Sequence, residues 1–309
     1  MNYDQQQDYD HQQSVVYGYK DGMGLIMDAL IPTQHQNGAA VIALNSGGFS
    51  SNLDKFSDFP QRRFTKCLLN AGYIVFIVAH SSSPKYRIDE IIPDISRAIR
   101  FIRHHAGRFG IDPHRIGIRG SSSGGMLSLM AATTPLAADP EAKDPVDRVS
   151  SQVQAVVAYF PPTDFIELTR AHSLNHPPLD LHYSPLDFHN WDEEAQRYER
   201  VIDPEETKAI FRQCSPTTHI SADTPPTLLL HGDEDERIPI QQSELFAARL
   251  RELGVPHKLI VAKGKGHGWD PPLENELNEI WGWFDRYLLN RGASVSILKT
   301  TSCNTRSNS

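Results

Sequence analysis

The chain has 309 residues, of which 39% are hydrophobic and 22% charged, and its net charge is −8. That balance describes an ordinary globule with enough apolar residues for a sizeable core, and it excludes a basic surface for nucleic acid or an anionic membrane. No apolar run approaches the roughly 18 residues that span a bilayer, and three scattered cysteines, Cys67, Cys214 and Cys303, suggest neither a disulfide framework nor a thiolate metal site.

Residues 1–13 are polar and Gln-rich, which predicts a disordered leader, and they lack the basic and apolar regions of a secretory signal. A cytoplasmic protein is expected. Residues 15–19 and 25–31 flank Asp21-Gly22, a turn signal that predicts an edge hairpin. Residues 39–44 are a continuous apolar run, suited to a strand buried on both faces, and lead into Asn45-Ser46-Gly47-Gly48-Phe49. A helix is expected over 56–70 and a buried strand over 73–79. Ile88, Ile91, Ile92, Ile95, Ala98, Ile99 and Ile102 then fall on one stripe at helical spacing. Arg97, Arg100 and Arg103 lie off that stripe and read as a solvated face.

Next, residues 115–118 alternate as a short strand, and Met126, Leu127, Leu129, Met130, Ala131 and Ala132 form a nearly all-apolar helix. Between them runs Arg119-Gly120-Ser121-Ser122-Ser123-Gly124-Gly125. A serine on so sharp a strand-to-helix turn is held out at the sheet edge, and small residues let the helix begin beside the strand it has just left. The frame G-x-S-x-G selects Ser122 over Ser121 and Ser123, whose flanking positions are not both glycine.

Another buried strand is expected over 153–160, after which the rhythm breaks. Residues 161–226 are rich in Pro, His, Asp and aromatics, a long irregular connection that reads as a cap. Order resumes with a strand over 227–230, a helix over 241–253, a strand over 258–262 and a closing helix that carries Leu277, Ile280, Trp281, Phe284 and Leu288. Residues 291–309 are Ser/Thr/Asn-rich and read as a disordered tail. The alternation of apolar strands with helices predicts an α/β fold, a mostly parallel central sheet with helices on both faces and a cap insertion before the penultimate strand.

Acyl transfer through a serine needs a base for its proton, a carboxylate to orient that base, and N–H donors for the oxyanion. Asp235 follows the penultimate strand, with Asp233 as its competitor, and His267 lies between two glycines after the last strand. In a parallel sheet the carboxyl ends of the strands share one edge, where such distant residues meet. Ser122, Asp235 and His267 therefore form a candidate catalytic set, in the order Ser, Asp, His.

On Asn45-Ser46-Gly47-Gly48, residues 98–103 and 112–116, Gly120 to Gly125, His231-Gly232 to Asp235, and Gly266-His267-Gly268-Trp269, the chain resembles an α/β-hydrolase of the carboxylesterase type, near the hormone-sensitive-lipase-like and feruloyl-esterase-like groups. The resemblance spans most of residues 14–290 outside the cap. It implies Ser122 as nucleophile, His267 as general base and then acid, Asp235 as orienting carboxylate, and the Ser123 amide as an oxyanion donor. The family commonly carries His-Gly-Gly-Gly where this chain has Asn45-Ser46-Gly47-Gly48, so Gly47 and Gly48 are the remaining donors. A second departure, His80-Ser81-Ser82-Ser83-Pro84, has no assigned role. Neither a cofactor nor a metal is expected, since the cap histidines His172, His176, His182 and His189 match no zinc spacing. Tyr159, Phe160, Trp191 and Trp269 are candidate walls of a pocket for a small ester. An amidase or exopeptidase with the same triad and a non-catalytic binding protein of the same fold remain open alternatives.

Overall fold

The computed structural model describes residues 8–175, 186–269 and 274–291. In chain order its elements are β1 (Tyr9–Lys20), β2 (Met23–Pro32), β3 (Ala40–Leu44), α1 (Arg63–Asn70), β4 (Ile74–Val78), α2 (Ile88–His104), α3 (Ala106–Phe109), β5 (Ile116–Ser121) and α4 (Ser123–Thr133). After these come β6 (Ala155–Tyr159), α5 (Phe165–Asn175), β7 (His189–Asp192), β8 (Arg197–Arg200), α6 (Pro204–Cys214), β9 (Thr227–Gly232), α7 (Gln241–Glu252), β10 (His257–Ala262) and α8 (Glu274–Leu288). Among the described residues, eight strands form one sheet in the order β1-β2-β4-β3-β5-β6-β9-β10. From β4 to β10 neighbouring strands are parallel, and the β1–β2 hairpin joins antiparallel through β2.

The strands are apolar throughout because both sheet faces are covered. Side chains alternate across the pleat, so Ile42, Phe76, Ile118, Val156 and Leu229 enter one cluster while Val41, Val75, Val157, Leu228 and Leu230 enter the other. Helix α4 is buried along its whole length, which accounts for its lack of a polar face. None of the described helices is long and apolar enough to cross a membrane.

Three local readings differ from the structure. Strand β1 begins at Tyr9, inside the stretch expected to be a leader, and pairs from Tyr9 opposite Pro32. The helix expected from Phe56 splits into a 3-10 turn over Leu53–Gln61 and α1, because Pro60 lies in the turn and Arg62 is extended. The arginines of α2 are not a solvated face. Arg100 is buried and donates to Asp147 and the Ala137 carbonyl, Arg103 donates to the carbonyls of Pro113, Ser150 and Gln152, and Arg97 pairs with Asp144 at 2.7 Å. They fasten the connection between α4 and β6 onto α2.

The insertion between β6 and β9 carries α5, the β7–β8 ribbon and α6. Of the cap histidines, His176 and His182 lie outside the described residues, as do Cys303 and the tail beyond residue 291. The segment of unassigned role also has a structural account. Ser81 donates to Asp94 of α2, and Lys20 at the end of β1 reaches Asp94 at 3.0 Å and Ser81 at 3.1 Å, which ties the hairpin to the end of β4 and to α2.

Candidate active site

Strand β5 ends at Ser121, and Ser122 turns the chain into α4 with φ 55° and ψ −124°, a strained backbone for a residue with a side chain. The turn is tight enough that a Cβ on Gly120 would lie 2.1 Å from the Gly124 carbonyl oxygen, whereas one on Gly124 would meet nothing closer than Ser46 Cβ at 3.4 Å. The steric demand of the turn therefore falls on Gly120 and not on Gly124.

The loops after β9 and β10 bring the remaining groups to this edge. Ser122 Oγ lies 2.9 Å from His267 Nε2, and His267 Nδ1 lies 2.8 Å from Asp235 Oδ2. Asp235 also accepts from the amides of Arg237 and Ile238. Burial pushes its carboxyl pKa up, but hydrogen bonds from His231 and His267 and from the Ile238 amide outweigh burial and hold it well below the usual carboxylate range. Asp233, the competing carboxylate, binds Lys263 at 3.0 Å and the Gly264 amide at 2.7 Å.

At the oxyanion side the two glycines diverge. The Gly47 amide donates to the Ser50 carbonyl at 3.0 Å in a small bridge, and Ser50 returns the bond at 3.1 Å. Gly47 is thereby removed as a donor, because its N–H is already used. Gly48 has φ 58° and an amide with no partner among the described residues. The Ser123 amide opens α4, where the first N–H groups have no intrahelical acceptor. Ser46, the departure from glycine, uses its hydroxyl to reach Ser123 Oγ at 2.9 Å and so fastens this loop to the helix.

The BD-FAE family model matches residues 27–250. The chain belongs to the BD-FAE family. One relative, "Probable carboxylic ester hydrolase LipM" of Mycobacterium tuberculosis, is 33% identical over 189 residues, which cover 60% of this chain and 39% of LipM. "Probable isoprenylcysteine alpha-carbonyl methylesterase ICME" of Oryza sativa is 25% identical over 255 residues, covering 82% of this chain and 57% of that protein. The chain thus spans less than two thirds of either relative. A solved structure, "Truncated form of carbohydrate esterase from gut microbiota", superposes with a TM-score of 0.72 at 26% identity, covering 92% of this chain and 98% of that one.

In this BD-FAE member the aromatics proposed as pocket walls divide. Phe160 meets the His267 ring edge-on with centroids 4.8 Å apart, and Trp269 packs on Phe160 at 5.4 Å and on Tyr159 at 5.9 Å. Trp269 Nε1 donates to buried Glu276 of α8 at 2.9 Å, so this cluster braces the histidine loop. Trp191 belongs to the β7–β8 ribbon, where its ring packs on Tyr198 at 5.1 Å and is 44% exposed; its aromatic surface goes to the ribbon, not to the triad. Two functional contributors went unassigned in the sequence. His231 is fully buried, donates through Nε2 to the Ile238 carbonyl at 2.8 Å and lies 3.4 Å from Asp235. Gly232 lets the β10 loop approach, since a Cβ there would lie 2.1 Å from the Lys265 carbonyl oxygen. The only sequence signal for either was the His-Gly pair closing a buried strand.

Proposed function

We propose that the chain is a serine esterase that cleaves small carboxylic esters through an acyl-enzyme. The observation that carries this reading is the unbroken line of contacts from Ser122 Oγ through the His267 imidazole to Asp235. Ser122 attacks the ester carbonyl while His267 Nε2 takes the hydroxyl proton, and Asp235, ionised and buried, accepts from Nδ1–H and stabilises the imidazolium that forms. The amides of Ser123 and Gly48 receive the negative charge on the carbonyl oxygen. The tetrahedral adduct then expels the alcohol, which leaves with the proton from Nε2, and water repeats the sequence on the acyl group. The names of LipM and of the methylesterase relative support an ester as the substrate.

Ser122→Ala is expected to abolish hydrolysis of p-nitrophenyl acetate with the far-ultraviolet circular dichroism unchanged, and to abolish labelling by a fluorophosphonate. Unchanged turnover in the variant would overturn the reading, and wild-type protein that takes no label would leave a binding protein of this fold in its place. A matched anilide assayed beside the ester separates amide from ester preference.

A further inference from the structure

Beside the nucleophile, on the opposite flank from His267's loop, lies a cavity of about 370 Å³ lined by the end of β3, the loop after it, the 3-10 turn and β5. Its charged lining residues are Lys55, Arg62 and Arg119, and no carboxylate among the described residues lines it. In a chain of net charge −8 this is an unusual concentration of positive charge. None of the three cations has an ion-pair partner among the described residues. Elsewhere buried and half-buried arginines have acceptors: Arg87 pairs with Asp89, Arg100 with Asp147, and Arg103 donates to three backbone carbonyls.

Arg119 is the telling member. Its guanidinium sits over the rings of Phe64 at 4.3 Å and Tyr159 at 5.4 Å, which fixes the plane, and one nitrogen donates to Ser121 Oγ at 3.3 Å. Its Nε is buried with no hydrogen-bond partner among the described residues. Burial lowers the guanidinium's pKa, Tyr159 opposes this, and the nearby Arg62 charge adds to it. A guanidinium stays charged under such pressure, so the fold holds two mutually repelling cations at one cavity. Like charges without a counter-ion cost stability. An anion in the cavity would relieve that repulsion. The hydroxyls of Ser46, Ser50 and Ser121 and the Asn52 amide, all in the lining, supply neutral donors around it.

We propose that this cavity binds an oxyanion, a carboxylate or phosphate group on a small molecule, next to the catalytic serine. The site touches the reaction centre through two neighbours. Ser121 precedes the nucleophile, and Ser46 and Gly47 belong to the loop that carries the Gly48 amide. The anion is therefore either an acidic substituent of the ester substrate or a free small anion held against the oxyanion loop.

Calorimetric titration of the full chain with inorganic phosphate tests the proposal, and it stands apart from the esterase reading because it needs no turnover. Saturable binding is expected, weakened at least about ten-fold by Arg119→Gln through loss of charge-assisted hydrogen bonds. Should Arg119→Gln fail to fold, the double variant Lys55→Gln/Arg62→Gln, on exposed positions, is expected to weaken binding to a similar degree, with melting temperature and circular dichroism as the folding check. No saturable binding at tens of millimolar phosphate, or binding that neither variant weakens, overturns the site. Two wild-type ester assays then identify the source. Phosphate that competes with mono-p-nitrophenyl succinate but not with p-nitrophenyl acetate assigns the anion to the substrate; any other pattern, with binding intact, assigns it to a free anion.

Discussion

Asp235 is shared by two histidines: its Oδ2 lies 2.8 Å from His267 Nδ1 and 3.4 Å from Nε2 of fully buried His231. The carboxylate is itself buried, so both imidazoles find it ionised and fixed in place. Replacing it by Asn removes the charge that, in the proposed mechanism, stabilises the imidazolium, and offers His267 an amide of ambiguous orientation. Asp235→Asn is expected to lower kcat for p-nitrophenyl acetate by about 10³–10⁴-fold, with KM changed far less, in steady-state assays at neutral pH.

The same carboxylate shapes stability in acid. Its folded pKa lies below the unfolded reference of about 3.9, so as pH falls the unfolded chain takes up the proton first. The stability this contributes is whole above the unfolded value and drains away below it. Melting temperatures measured from pH 7 down to pH 3 should fall more steeply in the wild type than in Asp235→Asn, with the slopes parting below about pH 5. Parallel slopes would mean that Asp235 is not held in its charged form.

Gly232 ends β9 under the backbone that leads to His267. A methyl group there would lie 2.1 Å from the Lys265 carbonyl oxygen and 2.9 Å from that of Gly266, contacts no rotamer can relieve. Gly232→Ala should therefore destabilise the fold by about 1–3 kcal/mol or more and displace His267 enough to lower kcat about a hundred-fold. Gly282 on the exposed side of α8 is the matched control. Its added Cβ meets nothing within 4 Å among the described residues, so Gly282→Ala should leave activity intact and raise stability by about 0.5–1 kcal/mol through helix propensity. Thermal melts and ester assays on the two variants make the comparison.

The parts of the site that could be read from sequence are those fixed by local chain geometry. G-x-S-x-G demands a close strand–helix approach, and the Gly120 contact shows why a side chain cannot stand there. Strand ends after β9 and β10 share the edge with Ser122 by topology, so Asp235 and His267 could be named before any distance was known. What was missed depends on partners. Whether the Gly47 amide is free is decided by the Ser50 carbonyl, and composition says nothing of that bridge. Residues 9–13 looked like a leader because β1 is an edge strand, whose outer face needs polar side chains as much as a solvated coil does. Lys55, Arg62 and Arg119 are separated in sequence and meet only once β5 is packed against the turn before α1.

Ser46, where the family commonly has glycine, lies in the proposed oxyanion loop and leads to the last prediction. Its hydroxyl lies 2.9 Å from Ser123 Oγ, and Ser123 is buried, so Ala at 46 leaves a buried hydroxyl without its partner and frees the loop from α4. The lost bond is worth about 1 kcal/mol. Because the amides of Gly48 and Ser123 would act on charge present only in the transition state, loosening them should appear in kcat and not in KM. Ser46→Ala and Ser123→Ala should each lower kcat for p-nitrophenyl acetate about five-fold, the rate equivalent of that energy. The double variant decides whether the two hydroxyls act as one link. If they do, it loses no more than either single change; if each holds the loop independently, the losses multiply.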